Sequence, residues 1–149
     1  MPTEAEVRAA LQSVSDPEIP VLSIVDLGVV EAIRVADGRV QVVLLPTFSG
    51  CPALDFMAEA VRRKVAELPG VDEVDVSFCL DPAWDTTRIT GRGRLALQSF
   101  GIAPPGGAPA CPYCGSRHTR AASAFGPTRC RSVYYCDACR NPFEQMKAL

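Results

Sequence analysis

Two pairs of cysteines carry the clearest chemistry in this chain: Cys111 and Cys114 in CPYC, and Cys136 and Cys139 in CDAC. A Cys-x-x-Cys turn lets two thiolates converge on one ion, and two such turns on neighbouring hairpins complete the closed tetrahedron of a structural zinc site. Sulfur then fills all four positions, leaving none for a water or a substrate. The segment after Pro109 has about 40 residues, too few for a sufficient core of its own. Zinc binding, worth about 10 to 16 kcal/mol, is expected to supply most of its folding free energy, and without the ion the segment is expected to be unfolded.

Two disulfides are the competing arrangement, and they need an oxidising compartment. The start MPTEAEVRAALQ has no basic run followed by about 7 to 15 apolar residues, so no signal peptide is visible and a cytoplasmic location is expected. The seven cysteines are also an odd count. Cys130 and His118 are rival ligands in the same segment, but the knuckle spacing of the four cysteines favours leaving both outside the site.

A second candidate is Cys51 in PTFSGCP, which precedes an amphipathic stretch opened by Pro52, a favoured first helical residue. Unsatisfied N–H groups and the positive dipole end stabilise a thiolate at such a place, making it a better metal ligand or nucleophile. Thr47, Ser49 and Gly50 add hydroxyls and open backbone around it. Asp16, Glu18 and Asp26 fall in DPEIPVLSIVDLG, where Pro17, Pro20 and Gly28 could fold carboxylates towards one place. Carboxylates with a thiolate could bind iron; the same residue types also serve as turn formers and helix caps.

Catalytic residues are not expected. The only histidine, His118, lies in the cysteine-rich segment, so the first lobe has none for a Ser-His-Asp triad, and paired Glu-x-x-His motifs for a di-iron site cannot be built. Gly91 to Ala96 matches GxGxxA, yet it lies in a helical stretch, follows no buried strand and has no acid about 20 residues on.

The elements that must position these groups follow from local pattern. Thr3 to Val14 predicts a short helix with Thr3 and Glu6 spaced as a capping box. Val29–Ala36 and Val40–Leu45 flank Asp37-Gly38 and predict a hairpin. Leu54, Met57, Val61, Val65 and Leu68 place one apolar face on a helix from Pro52 to Leu68, with Arg62, Arg63 and Lys64 at its C-terminal end. Val71, Val74, Val76 and Phe78 supply a third strand, and a last helix is expected from Asp85 or Thr86 to Phe100, weakened by Gly91 and Gly93. The order α-β-β-α-β-α gives an α+β fold, a small three-stranded sheet covered by helices, followed by a C-terminal zinc ribbon. The expected domains are 1–103, a Pro/Gly linker at 104–110, and the ribbon at 111–149.

Residues 1–103 carry 9 Lys and Arg against 15 Asp and Glu, whereas residues 104–149 carry 6 against 2. Opposite net charges suit two solvated surfaces or docking on partners of opposite sign. No run of 18 apolar residues is present, so no membrane span is expected.

DPEIPVLSIVDLG, PTFSGCPA, LDPAWDTTRIT with GIAPP, and the ribbon segments CPYCGS, AFGPTRC and YYCDACRNPFE together resemble the phenylacetate-degradation protein D family, in order from Asp16 to Lys147. The first lobe also resembles small domains of iron-sulfur cluster assembly, whose loop cysteine corresponds to Cys51 and whose acidic motifs correspond to Glu18 and Asp26. The resemblance implies an accessory or maturation subunit of the multicomponent phenylacetyl-CoA epoxidase, with zinc in the ribbon and transient iron or an iron-sulfur cluster at Cys51. It implies the oxygenase and reductase subunits as partners. The chain departs from the family pattern at Thr87 and Arg88, where the family has an acid and an aromatic. The alternatives are a nucleic-acid-binding ribbon or a general protein-interaction adaptor. The acidic first lobe and the absence of dense basic runs argue against nucleic acid. An enzyme with Cys51 as nucleophile would lack a histidine base in its own lobe, and a homodimer through a sheet edge is left open.

Overall fold

The computed structural model describes residues 1–47, 53–127 and 131–147. They form two compact units, Met1–Thr90 and Gly91–Leu149.

The first unit begins with α1 (Glu4–Leu11), which buries Val7 and Leu11. Its capping box is complete: the Thr3 hydroxyl accepts the Glu6 N–H at 3.2 Å, and the Thr3 N–H donates to the Glu6 carboxylate at 2.6 Å. A one-turn helix, α2 (Ile24–Leu27), follows; Ser23 caps it and Gly28 ends it at φ 79°. The sequence pattern does not predict this turn. Strands β1 (Val30–Ala36) and β2 (Arg39–Leu44) pair antiparallel, with Ile33 opposite Val42. Asp37 and Gly38 join them at φ 51° and 78°, the two positive values that a type I′ turn needs.

The amphipathic helix α3 (Ala53–Ala66) buries Met57, Ala58, Val61 and Val65. It crosses over to β3 (Glu73–Phe78), which runs parallel to β2, so the sheet order is β1-β2-β3. A parallel neighbour cannot be reached by a tight turn, and α3 is the connection that reaches it. The core between helices and sheet includes Leu11, Leu27, Val42, Leu44, Val61 and Val65. This is the predicted α+β sheet.

The expected helix from Asp85 to Phe100 is broken in two. A 3-10 turn covers Thr86–Arg88, Ile89 is extended at φ −67° and ψ 126°, and α4 runs only from Gly91 to Ser99. Long-range bonds replace the helical ones: the Trp84 indole N–H donates to the Leu27 carbonyl at 2.8 Å, Arg88 Nε to the Gly28 carbonyl at 2.7 Å, and the Thr90 N–H to the Asp26 carbonyl at 2.9 Å. The segment 84–90 is thus a strap laid over α2.

The second unit consists of α4, β4 (Ile102–Ala103), β5 (Thr119–Ser123), β6 (Arg131–Cys136) and β7 (Pro142–Met146), in sheet order β4-β7-β6-β5. The sequence pattern gives no sign of β4. It pairs in parallel with Glu144 and Gln145, and the buried Gln145 amide donates to the carbonyls of Pro104 and Gly107. Side-chain bonding therefore holds part of the Pro/Gly stretch against the ribbon. One apolar cluster here is small: Ala103, Cys111, Cys136 and Phe143, with Tyr134 and Cys139 packed against it; Leu97, Ile102 and Met146 are also buried in this unit.

Candidate functional site

The two Cys-x-x-Cys segments fold into matching knuckles. In the first, the Gly115 N–H returns to the Cys111 carbonyl at 2.9 Å and the Cys111 N–H donates to the Ser116 carbonyl. In the second, the Arg140 N–H returns to the Cys136 carbonyl at 2.8 Å and the Cys136 N–H donates to the Asn141 carbonyl. Each turn needs a left-handed residue four positions after its first cysteine, and Gly115 (φ 76°) and Arg140 (φ 59°) fill that position. Backbone N–H groups also point at sulfur, Tyr113 to Cys111 Sγ at 3.4 Å and Cys139 to Cys136 Sγ at 3.5 Å. Such donors stabilise thiolates.

The four sulfurs lie within 4.8 Å of one another. Cys111 and Cys139 are 3.7 Å apart, and Cys114 and Cys136 are 3.6 Å apart. A regular tetrahedron with ion-to-sulfur bonds of about 2.3 Å has sulfurs about 3.8 Å apart, so the set fits one zinc ion. Cys111 and Cys136 are buried and Cys114 is exposed. Without an ion Cys139 and Cys114 are pushed in opposite directions. Asn141, whose amide lies 3.5 Å from Cys139 Sγ, leads the interactions that bring the Cys139 pKa down to about 7. Cys114 is helped by the Ser116 backbone, yet desolvation and the other three sulfurs push it up to about 11. A bound dication reverses that penalty, since it stabilises every thiolate at once.

His118 is exposed and stays outside this group; its carbonyl accepts the Asp137 N–H and its N–H donates to Ser116 Oγ. Cys130 and Cys51 lie outside the described residues, as do Phe48, Ser49, Gly50 and Pro52. Thr47 is half-buried, three positions beyond the end of β2. Among the described residues, no other group of three or more His, Cys, Asp or Glu is close enough to share an ion.

The carboxylates of the first unit have structural partners. Asp16 Oδ1 accepts the N–H groups of Glu18 and Ile19 at 2.8 and 3.0 Å, which makes the turn after α1. Asp26 is buried at the end of the first turn of α2; its N–H donates to Ser23 Oγ at 3.0 Å and its Oδ1 accepts the Thr90 hydroxyl at 2.9 Å. Glu18 is half-buried. Arg88 does more than replace an aromatic: besides its bond to Gly28 it forms an ion pair with Glu31 at 2.7 Å. Sequence pattern does not single out Trp84, Arg88 and Thr90, although a lone tryptophan in a polar segment signals a buried indole that needs an acceptor. Cys79, half-buried at the end of β3, donates from Sγ to the Asp81 carbonyl. Its N–H bonds to the Leu44 carbonyl, so it sits at the end of the sheet where β2 leads towards Thr47.

Residues 4–77 match the family of iron-sulfur cluster assembly proteins, and residues 103–147 match the PaaD zinc beta ribbon domain. A protein of Escherichia coli named as a subunit of 1,2-phenylacetyl-CoA epoxidase is 40% identical, and the alignment covers 99% of this chain and 94% of that one. A Porphyromonas gingivalis protein named Fe-S protein maturation auxiliary factor is 38% identical over 64% of this chain and 90% of its own length. A solved domain of unknown function from Bacillus anthracis superposes with a TM-score of 0.60 at 27% identity, covering 63% of this chain and 90% of that one. A conserved hypothetical protein from Thermotoga maritima superposes at 0.56 with 29% identity, covering 67% and 95%. An iron-sulfur-assembly fold joined to a cysteine ribbon over nearly the whole of the Escherichia coli relative places this chain in the phenylacetate-degradation protein D family.

Proposed function

We propose that this chain is a non-catalytic accessory or maturation subunit of a multicomponent phenylacetyl-CoA epoxidase, acting in the cytoplasm on the oxygenase and reductase components. The observation that carries this reading is the length of the match to the Escherichia coli epoxidase protein, which includes both units. The maturation-factor relative, by contrast, covers 64% of the chain. The partition of chemistry agrees. The four cysteines Cys111, Cys114, Cys136 and Cys139 would hold zinc in a closed sulfur set and fix the ribbon as a rigid surface. Cys51, two positions before α3 in the sequence, would take iron or a cluster transiently, with Asp26, Glu18 and Thr47 as the proposed oxygen donors. Sulfur and carboxylate donors are ordinary iron ligands, and a site meant to release its cargo needs few of them.

The test is Cys51→Ala. The zinc content and fold of the variant are expected to stay unchanged, while its support of epoxidation by the oxygenase and reductase components falls to the level seen without the protein. An epoxidase matured to normal activity with Cys51→Ala would remove Cys51 from the mechanism.

A further inference from the structure

β5 is the last strand in the order β4-β7-β6-β5, so no strand lies beyond its outer edge among the described residues. An exposed edge presents a row of backbone donors and acceptors that can template another strand. On β5 that edge is accessible, because Arg120 to Ala124 are exposed and four of the five are Ala or Ser. On the adjoining sheet face a groove of about 500 Å³ crosses β5, β6 and the end of β7, lined by Ala121, Ser123, Ser132, Tyr134, Gln145 and Lys147, among others. At the same end Phe125 is 77% exposed, with Lys147 Nζ held 5.0 Å over its ring.

Charge narrows the occupant. Residues 91–149 hold eight Lys and Arg against two Asp and Glu. Both carboxylates are engaged, Glu144 with Arg131 at 2.7 Å and Asp137 with Arg120 at 3.1 Å. The second pair is exposed on both sides and so weakly held that an incoming carboxylate can compete for Arg120. Edge-to-edge pairing of β5 with β5 of another copy would bring two basic units together, which opposes self-association there. The strand also bulges: Ala121 faces Tyr134 and Ser123 faces Val133, leaving Ala122 without a partner on β6. A bulge twists an edge and discourages flat, unselective pairing, so an added strand must follow that twist.

We propose that the outer edge of β5 is the partner-docking surface of this chain, and that it takes an extended acidic segment of a partner protein as an added strand. Main-chain hydrogen bonds would supply affinity, and long side chains on the groove's face of the added strand, reaching over the small Ala and Ser side chains of β5, would supply selectivity. The proposal rests on the reading that the chain works on other protein components.

The probe is a set of overlapping 15-residue peptides spanning the oxygenase and reductase components, presented to the zinc-loaded full chain. Binding by acidic extended segments is expected, with amide exchange of Arg120–Ser123 slowed at least tenfold. Ala122→Pro is expected to weaken that binding at least tenfold at unchanged zinc content, since proline is tolerated at edges and bulges but removes an N–H donor. Basic-peptide binding, no binding, or binding without protection of β5 would overturn the proposal. So would β5 protection by single-stranded oligonucleotides, or sedimentation showing a dimer in which β5 is covered by a second copy, for instance by its acidic β3 edge. Iron content of the oxygenase matured with the wild-type chain is scored separately, so the maturation reading can stand while the edge proposal falls, or the reverse.

Discussion

Removing the metal should unfold one unit and spare the other. The apolar cluster around the second unit's cysteines has four buried residues, two of which, Cys111 and Cys136, are themselves ligands. Outside the ligands, its large buried apolar side chains among the described residues are Leu97, Ile102, Phe143 and Met146, each worth about 1.5 to 3 kcal/mol when fully buried. A four-sulfur zinc site contributes about 10 to 16 kcal/mol, as much as the whole net stability of an ordinary domain. A strong chelator, or Cys136→Ala, should therefore collapse amide dispersion and exchange protection across β6 and β7. The first unit has its own reporter in the single tryptophan, Trp84, which is 6% exposed and hydrogen-bonded to Leu27. Its blue-shifted emission should persist after chelation, and one zinc equivalent per chain should restore the ribbon signals. Protected β6 and β7 amides in the metal-free chain would refute the claim that the ion holds the ribbon; a red shift of Trp84 on chelation would refute the independence of the first unit.

Three further outcomes follow from named contacts. Gly28→Ala should cost about 2 to 5 kcal/mol in urea unfolding, because φ is 79° and an added Cβ would collide with the Arg88 carbonyl and lie 2.6 Å from Arg88 Cβ. Thr90→Val keeps the shape but withdraws a hydroxyl donor from the buried Asp26 carboxylate, for an expected loss of about 1 to 3 kcal/mol in the first unit with no change in zinc affinity. Arg140→Gly should stabilise the second knuckle by about 1 kcal/mol, read as slower zinc loss to chelator, since the arginine sits at φ 59° where its counterpart is Gly115.

What can be read from sequence is local chemistry. The capping box at Thr3 and Glu6, the Asp37-Gly38 hairpin, the amphipathic face of α3 and the two knuckles are each fixed by residues within a few positions of one another. From Asp85 or Thr86 onward the strap at 84–90 reads as helix in the sequence because its bonds are distant along the chain: Trp84 to Leu27 spans 57 residues, Arg88 to Gly28 spans 60 and Thr90 to Asp26 spans 64. α2 is one turn long and has no periodicity to detect; its limits are a serine cap and a glycine stop. β4 has two residues and exists through its pairing with β7, some 40 positions on. At the candidate sites the pattern Cys-x-x-Cys is enough to name four converging sulfurs, whereas the anchoring of Asp26 by Thr90 requires the fold.

The proposed role, delivering or securing metal in partner proteins, is open to direct measurement. The oxygenase and reductase components should be produced with and without it, and their iron content, cluster absorbance and epoxidation rate measured side by side. Components made without the chain are expected to be deficient in metal and activity, and adding the iron-loaded wild-type chain is expected to restore both. Full metal content in its absence would contradict it.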